Sequence, residues 1–184
     1  MTKALRSLLQ RDPDVPFVAI DFETADYGRD SACAVALVRV EGRQIVARRS
    51  SLIRPPRRHF FFTYIHGITW ADVADQPSFG ECWPELRDIL DGVHFLAAHN
   101  SPFDKSVLTV CCAQAGLDPP KQPFLCTVQL ARATWKLRAA NLAAVCSHLC
   151  IPLKHHDPNS DAEACARIVI AATKGARAVT KSGR

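Results

Sequence analysis

The chain has 184 residues, of which 48% are apolar and 22% are charged, and its Lys and Arg residues outnumber its Asp and Glu residues by 23 to 18. This composition excludes a disordered or fibrous chain and is typical of one globular domain with a full hydrophobic core. The excess of positive charge suits a polyanionic partner without requiring one. No apolar run approaches the ~20 residues of a membrane span, and the N-terminus does not have the pattern of a secretion signal. We therefore expect a cytoplasmic domain that makes no membrane contact.

Hydrophobic patterning and turn residues divide the chain into an opening set of strands and a later alternation of helices and strands. The expected elements are, in chain order, strands at 17–23, 33–40 and 45–53, a helix at 84–90, a strand at 93–98, a helix ending at Gly116, a strand at 124–127, and helices at 128–134, 142–150 and 161–173. Residues 1–15 predict an amphipathic N-terminal extension and 174–184 a basic, flexible tail, which leaves 16–173 as the domain. This order of elements predicts an α/β fold with one mixed sheet and helices on both faces.

The eight cysteines contain no Cys-x-x-Cys pair. Most lie among Ala, Val and Leu, where a thiol acts as a small hydrophobic side chain. A zinc site is an alternative, because Cys146 and Cys150 share a helical face and His155 is near in sequence. Structural zinc sites usually show two ligand pairs at short spacing, however, so we expect reduced, buried thiols typical of a cytoplasmic protein.

Two carboxylates end the first predicted strand. Asp21 and Glu23 are two residues apart, so their side chains project from the same face of the strand. Two acids at the end of an otherwise apolar strand are costly unless a cation binds them. The alternative is an exposed strand end with solvated acids.

Two further acids lie on the apolar faces of predicted helices. Asp104 stands at the top of the stripe that continues through Leu108 and Cys111, and Asp161 begins the stripe that continues through Cys165 and Ile168. Helix capping alone could explain Asp104, but Ser160 and Glu163 fit a capping box for the last helix, so Asp161 is not needed as a cap. Four converging carboxylates would repel one another by about 4 kcal/mol per pair at ~4 Å, and hard divalent cations, Mg²⁺ or Mn²⁺, would relieve this repulsion. Two such ions form the clamp that supports phosphodiester displacement.

Two adjacent histidines, His155 and His156, precede the last helix, in a turn closed by Asp157 and Pro158. A histidine near divalent cations favours its neutral form and can accept a proton from water. A loop histidine is more often merely exposed to solvent, and the residues alone leave this alternative open.

Taken together, these motifs resemble the DEDDh class of 3′→5′ exonucleases, the family of the proofreading epsilon subunit of DNA polymerase III. The first motif, Asp-x-Glu-Thr, is matched by residues 21–24, and the second, His-Asn-x-x-Phe-Asp, by residues 99–104. The third motif, His-x-x-x-x-Asp, is matched from His156 to Asp161, and residues 66–69 resemble a segment that helps to hold the terminal nucleotide. The motifs stand in the family's order over about residues 16–172, and the ordered set is more specific than any single motif.

The resemblance implies a ribonuclease H-like fold, with a five-stranded sheet of order 3-2-1-4-5 whose first three strands are antiparallel. It also implies the roles of the site residues. The two metal ions would be held by four acids: Asp21, Glu23, Asp104 and Asp161. His156 would be the general base rather than His155, because only His156 lies at the family's distance from Asp161. The residues implied to contact the 3′-terminal nucleotide are Phe22, Thr24, His66, Asn100 and Phe103.

The chain departs from the family pattern in ways that concern the substrate. Ala25 and Asp26 follow the first motif where many members have Thr-Gly, and Cys126 precedes Thr127 where many have Asp. The loop at 54–62 mixes cations with aromatic rings that could stack on unpaired bases: Phe60, Phe61, Phe62 and nearby Tyr64. A path for a phosphate backbone is offered by the arginines at 39, 43, 48, 49, 54, 57 and 58. The alternative is that the rings belong to the core and the arginines form a solvated face.

The resemblance implies an exonuclease that releases nucleoside 5′-monophosphates from single-stranded DNA 3′ ends. A DNA polymerase is a candidate partner, and the sequence leaves that association open. An exoribonuclease or oligoribonuclease on the same fold is a close alternative, because the 2′-OH is recognised by details of the pocket that the motifs do not specify. A polymerase-associated nucleic-acid-binding module is the alternative from another class.

Overall fold

The computed structural model describes residues 3–180, which form one α/β domain around a single mixed sheet. Its strands are β1 (Phe17–Thr24), β2 (Ala32–Glu41), β3 (Gln44–Leu52), β4 (Leu96–Ala98) and β5 (Phe124–Cys126). Its α-helices are α1 (Lys3–Arg11), α2 (Thr63–His66), α3 (Trp70–Val73), α4 (Phe79–Leu86), α5 (Pro102–Gln114), α6 (Thr127–Trp135), α7 (Leu142–Leu149) and α8 (Pro158–Thr180), and a 3₁₀ turn at Arg87–Leu90 follows α4. Among these residues no helix is both long enough and apolar enough to cross a bilayer.

The strand order is β3-β2-β1-β4-β5, which confirms the predicted sheet. The pairs β1–β2 and β2–β3 are antiparallel, whereas β1–β4 and β4–β5 are parallel. The parallel ladder between β1 and β4 joins Val18 to Leu96 and Ala19 to Ala97. The last residues of β1 therefore extend beyond β4, and their backbone is available to the helix that follows β4.

Side chains alternate along β1 between two hydrophobic cores, one on each face of the sheet. Phe17 and Ala19 pack in the core beneath α8, α6 and α7, and the buried leucines of α1 join this core. Val18, Ile20 and Phe22 pack in the opposite core, beneath α4 and α5. Helices thus cover both faces, as predicted.

Several boundaries differ from the sequence prediction, and local capping explains two of them. Helix α4 begins at Phe79 rather than at 84, because Glu81 accepts hydrogen bonds from the N–H and hydroxyl of Ser78 at 2.7 Å each. Helix α8 begins at Pro158, because the carboxylate of Asp157 accepts hydrogen bonds from the next backbone N–H groups. Helices α2 and α3 were not predicted, since each is only four residues long.

The two ends of the chain are more regular than the sequence prediction. Helix α1 lies within the expected extension at 1–15, and buried Leu5 and Leu9 attach it to the domain. Helix α8 continues to Thr180, so the first part of the expected flexible tail is helical, and residues 181–184 lie outside the described part of the chain.

All eight cysteines are free thiols, and most are buried. Cys146 is buried and Cys150 is exposed, and neither belongs to a cluster of potential metal ligands among the described residues. The alternative of a zinc site at these cysteines therefore has no support in the structure.

Candidate active site

The end of β1 brings three carboxylates together at one edge of the sheet. Asp21 and Glu23 project from the face that α8 covers, and Asp161 points towards them from the first turns of α8. One ligand oxygen from each of the three residues lies within 4.8 Å of the other two. Asp21 and Glu23 therefore share one face of β1, and Asp161 points inwards, as the sequence predicted.

Asp104 approaches the same strand from the opposite core. Its side chain is 2% exposed, and its Oδ1 accepts a hydrogen bond of 3.1 Å from the backbone N–H of Phe22. Ser101, at the N-cap of α5, makes no side-chain capping bond, so the capping explanation of this acid is not borne out. Asp104 does not join the other three acids within 4.8 Å, because its carboxylate is held against the backbone between Asp21 and Glu23.

The four acids behave as buried carboxyl groups whose pKa values are raised by burial and by mutual repulsion. Burial raises the pKa of Asp21 well above its ordinary value, and Asp104, Asp161 and Glu23 raise it further by repulsion. Burial, followed by repulsion from Asp161, raises the pKa of Glu23 to about 8. Burial also raises the pKa of Asp104 to about 8. It raises the pKa of Asp161 as well. Carboxyl groups with a pKa of about 8 are largely protonated at pH 7, and positive charge brought to them would favour their ionised form.

The donor set fits hard divalent cations. The three clustered acids offer only oxygen ligands, and Oδ1 of Asp161 is buried with no hydrogen-bond partner among the described residues. A buried, unpartnered carboxylate oxygen is costly, and metal coordination would relieve that cost. Oxygen ligands select Mg²⁺ or Mn²⁺ over softer ions.

The two histidines before α8 have different relationships to Asp161. Nδ1 of His155 lies 2.9 Å from Oδ2 of Asp161, and the backbone N–H of His156 donates to the same oxygen at 3.1 Å. The two imidazole rings stack with their centroids 3.8 Å apart, and His156 has the left-handed backbone value φ 66°. The ring of His156 is thus not bound to Asp161. Burial and the neighbouring His155 lower its pKa, which favours the neutral ring at pH 7.

His66 joins the loop after β3 to the end of β1. The backbone N–H of Ile68 donates to its Nδ1 at 3.0 Å, so Nε2 carries the proton and donates to the carbonyl of Thr24 at 3.2 Å. His66 and His156 line one cleft of about 520 Å³, with exposed Tyr64 at its rim. Burial lowers the pKa of His66, and both of its ring nitrogens are committed to backbone groups.

The remaining candidate substrate residues differ in exposure. Asn100 is exposed and adopts φ 67°, which Asn tolerates, and Phe103 is half-buried with the guanidinium of Arg29 4.6 Å above its ring. The side chain of Phe22 is 3% exposed and packs against Phe79, with ring centroids 6.5 Å apart. Phe22 therefore offers its backbone, and not its ring, to the active-site edge. Thr24 is also buried, although β1 ends there.

The arrangement of the arginines differs from the phosphate path that the sequence predicted. Several arginines of that path are held by carboxylates or carbonyls: Arg39 by Glu41, Arg43 by Asp14, Arg48 by Glu163, and Arg57 by Asp26 and Asp30. The aromatic residues of this region are divided between buried and exposed positions. Phe60 packs in a small core cluster with Ala25, Cys33 and Val73, whereas Phe61 and Tyr64 are exposed.

Sequence reasoning missed three contacts near the site. Arg29 covers Phe103, Arg57 bridges two acids, and Nδ1 of His99 lies 2.8 Å from the hydroxyl of Thr127. The only signals in the sequence were that Arg57 belongs to the basic loop at 54–62 and that His99 opens the second motif. Burial lowers the pKa of His99 to about 4, so this histidine stays neutral in the physiological range.

A five-stranded sheet of this order, with acids from its central strand and two helices at one edge, is the architecture of exonucleases with the ribonuclease H-like fold. The chain belongs to the Exonuclease (RNase_T) family, whose model matches residues 18–169. The family is divalent-metal dependent and hydrolytic.

The chain is similar to bacterial replication proteins. It is 32% identical over 162 residues to a DNA polymerase III of PolC type from Thermotoga maritima, an alignment that covers 85% of this chain and 12% of that protein. It is 31% identical over 118 residues to a DNA polymerase III epsilon subunit from Haemophilus influenzae, covering 60% of this chain and 45% of the relative. The chain thus spans about an eighth of the length of the PolC-type relatives.

Solved structures of exonucleases share the fold. Exonuclease X in complex with 5′ overhanging duplex DNA superposes with a TM-score of 0.67 at 27% identity, over 86% of this chain and 93% of that chain. The nuclease domain of 3′hExo, a DEDDh family member bound to rAMP, superposes with a TM-score of 0.74 at 17% identity, over 87% and 92% of the two chains.

Proposed function

We propose that this domain is a 3′→5′ exonuclease that removes nucleoside 5′-monophosphates from single-stranded DNA ends with two Mg²⁺ or Mn²⁺ ions. The observation that carries this proposal is the cluster of Asp21, Glu23 and Asp161, whose oxygens lie within 4.8 Å of one another next to His156. Asp104 completes the set of acids from the other side of β1. The choice of DNA is supported by the likeness to DNA polymerase III proteins and to exonuclease X.

The four acids would hold the cations at the end of β1. When bound, the divalent cations would lower the pKa of the attacking water and stabilise the negative charge on the departing 3′ oxygen. His156 would take the proton of that water on its imidazole, because its lowered pKa keeps the ring neutral and able to accept. His155 would position Asp161 through its Nδ1 and would not itself move a proton.

The terminal nucleotide would lie between the end of β1 and the start of α5. Phe103 would pack against its sugar or base, and exposed Asn100 would hydrogen-bond it, as the family resemblance implies. His66 and Thr24 would shape this pocket through their mutual hydrogen bond, which fixes the backbone where β1 ends. Phe22 would contribute through its backbone.

The decisive experiment follows nucleotide release from a single-stranded DNA oligomer that carries a label on its 3′-terminal nucleotide. With Mg²⁺ or Mn²⁺ we expect the label to appear as a 5′-monophosphate before the rest of the strand is degraded. A chelator and the variant Asp21→Asn should each abolish release. Equal release with and without the chelator would refute metal dependence, and internal cleavage would refute an exonuclease.

An RNA oligomer of the same sequence, compared by kcat/KM, tests the choice of DNA. A larger kcat/KM on RNA would replace the deoxyribonuclease proposal with the exoribonuclease alternative. An Asp21→Ala variant that bound DNA and matched the wild type in turnover would instead favour the binding module.

A DNA polymerase is a further proposed partner, supported by the matches to PolC-type and epsilon proteins. Co-elution with a replicative polymerase in size-exclusion chromatography would support that partner, and separate elution at micromolar concentration would oppose it. The cytoplasmic location remains a prediction based on the unpaired cysteines.

A further inference from the structure

A cluster of aromatic rings lies on the surface beside the end of β1. Tyr27 is 78% exposed and Phe61 is 56% exposed, and their ring centroids are 5.9 Å apart. The ring of Phe62 lies edge-on to Tyr27 at 4.8 Å, and the ring of His59 stacks on Phe61 at 5.9 Å. A single exposed ring is ordinary, but a contiguous group of exposed rings often marks an interaction site.

The two loops that carry these rings are fastened together beneath them. The guanidinium of Arg57 donates to the carboxylates of Asp26 and Asp30 in four hydrogen bonds of 2.6 to 3.1 Å. Gly28 lies between these groups, where any Cβ would collide with the guanidinium and the carboxylates. The backbone N–H of Phe61 also donates to the carbonyl of Ala25 at 2.7 Å. The two loops that carry the rings are therefore fixed to each other without a ligand.

The same contacts place the cluster next to the catalytic acids. Ala25, which accepts the bond from Phe61, is two residues after Glu23, and the loop that carries Tyr27 also carries Arg29. Arg29 is exposed, lies over Phe103, and is close enough to Asp104 to lower the pKa of that acid. If the last nucleotide of a nucleic-acid strand packed on Phe103, the nucleotides before it would lie near the guanidinium of Arg29 and then near the ring of Tyr27.

We propose that Tyr27 and Phe61 form a stacking platform for the unpaired bases just upstream of the 3′-terminal nucleotide. Flat exposed rings bind bases of any sequence, because every base has a π-face, and nearby arginine attracts the phosphates. A single nucleic-acid strand fits this combination better than a protein partner, since the platform is continuous with the active-site edge. This proposal rests on the proposed function and adds that the enzyme binds the unpaired nucleotides upstream of the bond that it cleaves.

The test compares the wild type with the double variant Tyr27→Ala/Phe61→Ala on a single-stranded DNA decamer with Mn²⁺. We expect KM to rise about tenfold while kcat changes much less, because stacking holds the strand and does not touch the reacting atoms. Tyr27→Phe and Phe61→Tyr keep the rings and should restore KM to within about twofold, as the stacking faces remain. Val46→Ala, which removes exposed apolar surface from β3, is the matched control and should match the wild type.

A second substrate identifies what the rings touch. A decamer that lacks the bases of its second and third nucleotides from the 3′ end should raise KM of the wild type by about tenfold and leave the double variant unaffected. Thermal unfolding of the variants checks that the two loops remain folded.

The two proposals fail in different ways. Absence of nucleotide release by the wild type would overturn the proposed function. Normal release with a KM that responds neither to the double variant nor to the missing bases would overturn the platform alone.

Discussion

Asp104 is joined to Phe22 by a hydrogen bond of 3.1 Å from the backbone N–H of Phe22 to Oδ1, in a part of the protein almost closed to solvent. The bond exists because β1 extends beyond its ladder with β4, which leaves the N–H of Phe22 for α5. This carboxylate anchors the first turn of α5 to β1, and under the proposed function it would also be a metal ligand.

Substitutions of Asp104 should separate these two purposes. Asp104→Asn keeps an oxygen acceptor for the Phe22 N–H but removes the charge, so we expect at least a ~100-fold loss of turnover with an unchanged or higher melting temperature without metal. Asp104→Ala should lose turnover equally and also unfold about 2–8 °C lower, since it leaves a buried N–H unpaired. Nucleotide release and thermal unfolding in chelator measure the two effects. Equal melting temperatures for the two variants would contradict the anchoring role.

The stacked histidines give a second prediction. His156→Ala should lower kcat by at least ~100-fold, as expected for a lost general base, with metal binding largely retained. His155→Ala should lower kcat by less than about tenfold, because it removes only the hydrogen bond that positions Asp161. Steady-state kinetics on the same DNA oligomer, with Mn²⁺ affinity measured by calorimetry, compare the two. The reverse ranking would assign the base to His155.

The parts of this fold that the sequence predicted are those that depend on periodicity and order. Alternation along β1 assigned Phe17 and Val18 to opposite faces, and the strand order followed from the family resemblance. Contacts that depend on distant loops were not predictable. Neither the Arg57 bridge to Asp26 nor the ring contact between Tyr27 and Phe61 has a local sequence signature, since each joins residues more than 30 positions apart. Phe22 was expected to contact substrate because of its place in the motif, yet alternation buries its ring.

The acid cluster predicts how stability depends on pH when no cation is bound. Glu23 and Asp104 have a pKa of about 8 in the folded protein, whereas carboxyl groups in an unfolded chain titrate at about 4. Between these values the folded protein holds protons that the unfolded chain has released, so stability falls as pH rises. In chelator we expect the melting temperature to fall by roughly 5 °C or more from pH 5 to pH 8.

Divalent cations should reverse this trend, because they replace the protons at the same carboxylates. Mn²⁺ should raise the melting temperature more at pH 8 than at pH 5, and Asp104→Asn should flatten the slope in chelator. Differential scanning calorimetry at the two pH values measures both effects. A melting temperature in chelator that did not fall with pH would mean that burial and repulsion do not raise the pKa of these acids in the folded protein.

The bridge from Arg57 to Asp26 and Asp30 gives the last prediction. Arg57→Ala should lower the melting temperature by roughly 2–6 °C at pH 7, since it removes charge-assisted bonds to two carboxylates. The melting temperature of Arg57→Lys should fall between those of the wild type and Arg57→Ala, because a lysine cannot present the planar fork that engages both acids.

This stabilisation should depend on pH. Arg57 lowers the pKa of Asp30 to about 2, so the stabilisation from this pair is complete above the unfolded value of about 4 and is lost as pH falls towards 2. The difference in melting temperature from the wild type should therefore shrink below pH 4. Arg49→Ala, which removes an exposed arginine that has no ion pair among the described residues, is the control and should change little. A constant difference down to pH 2 would show that the effect of Arg57 is not its pairing with these carboxylates.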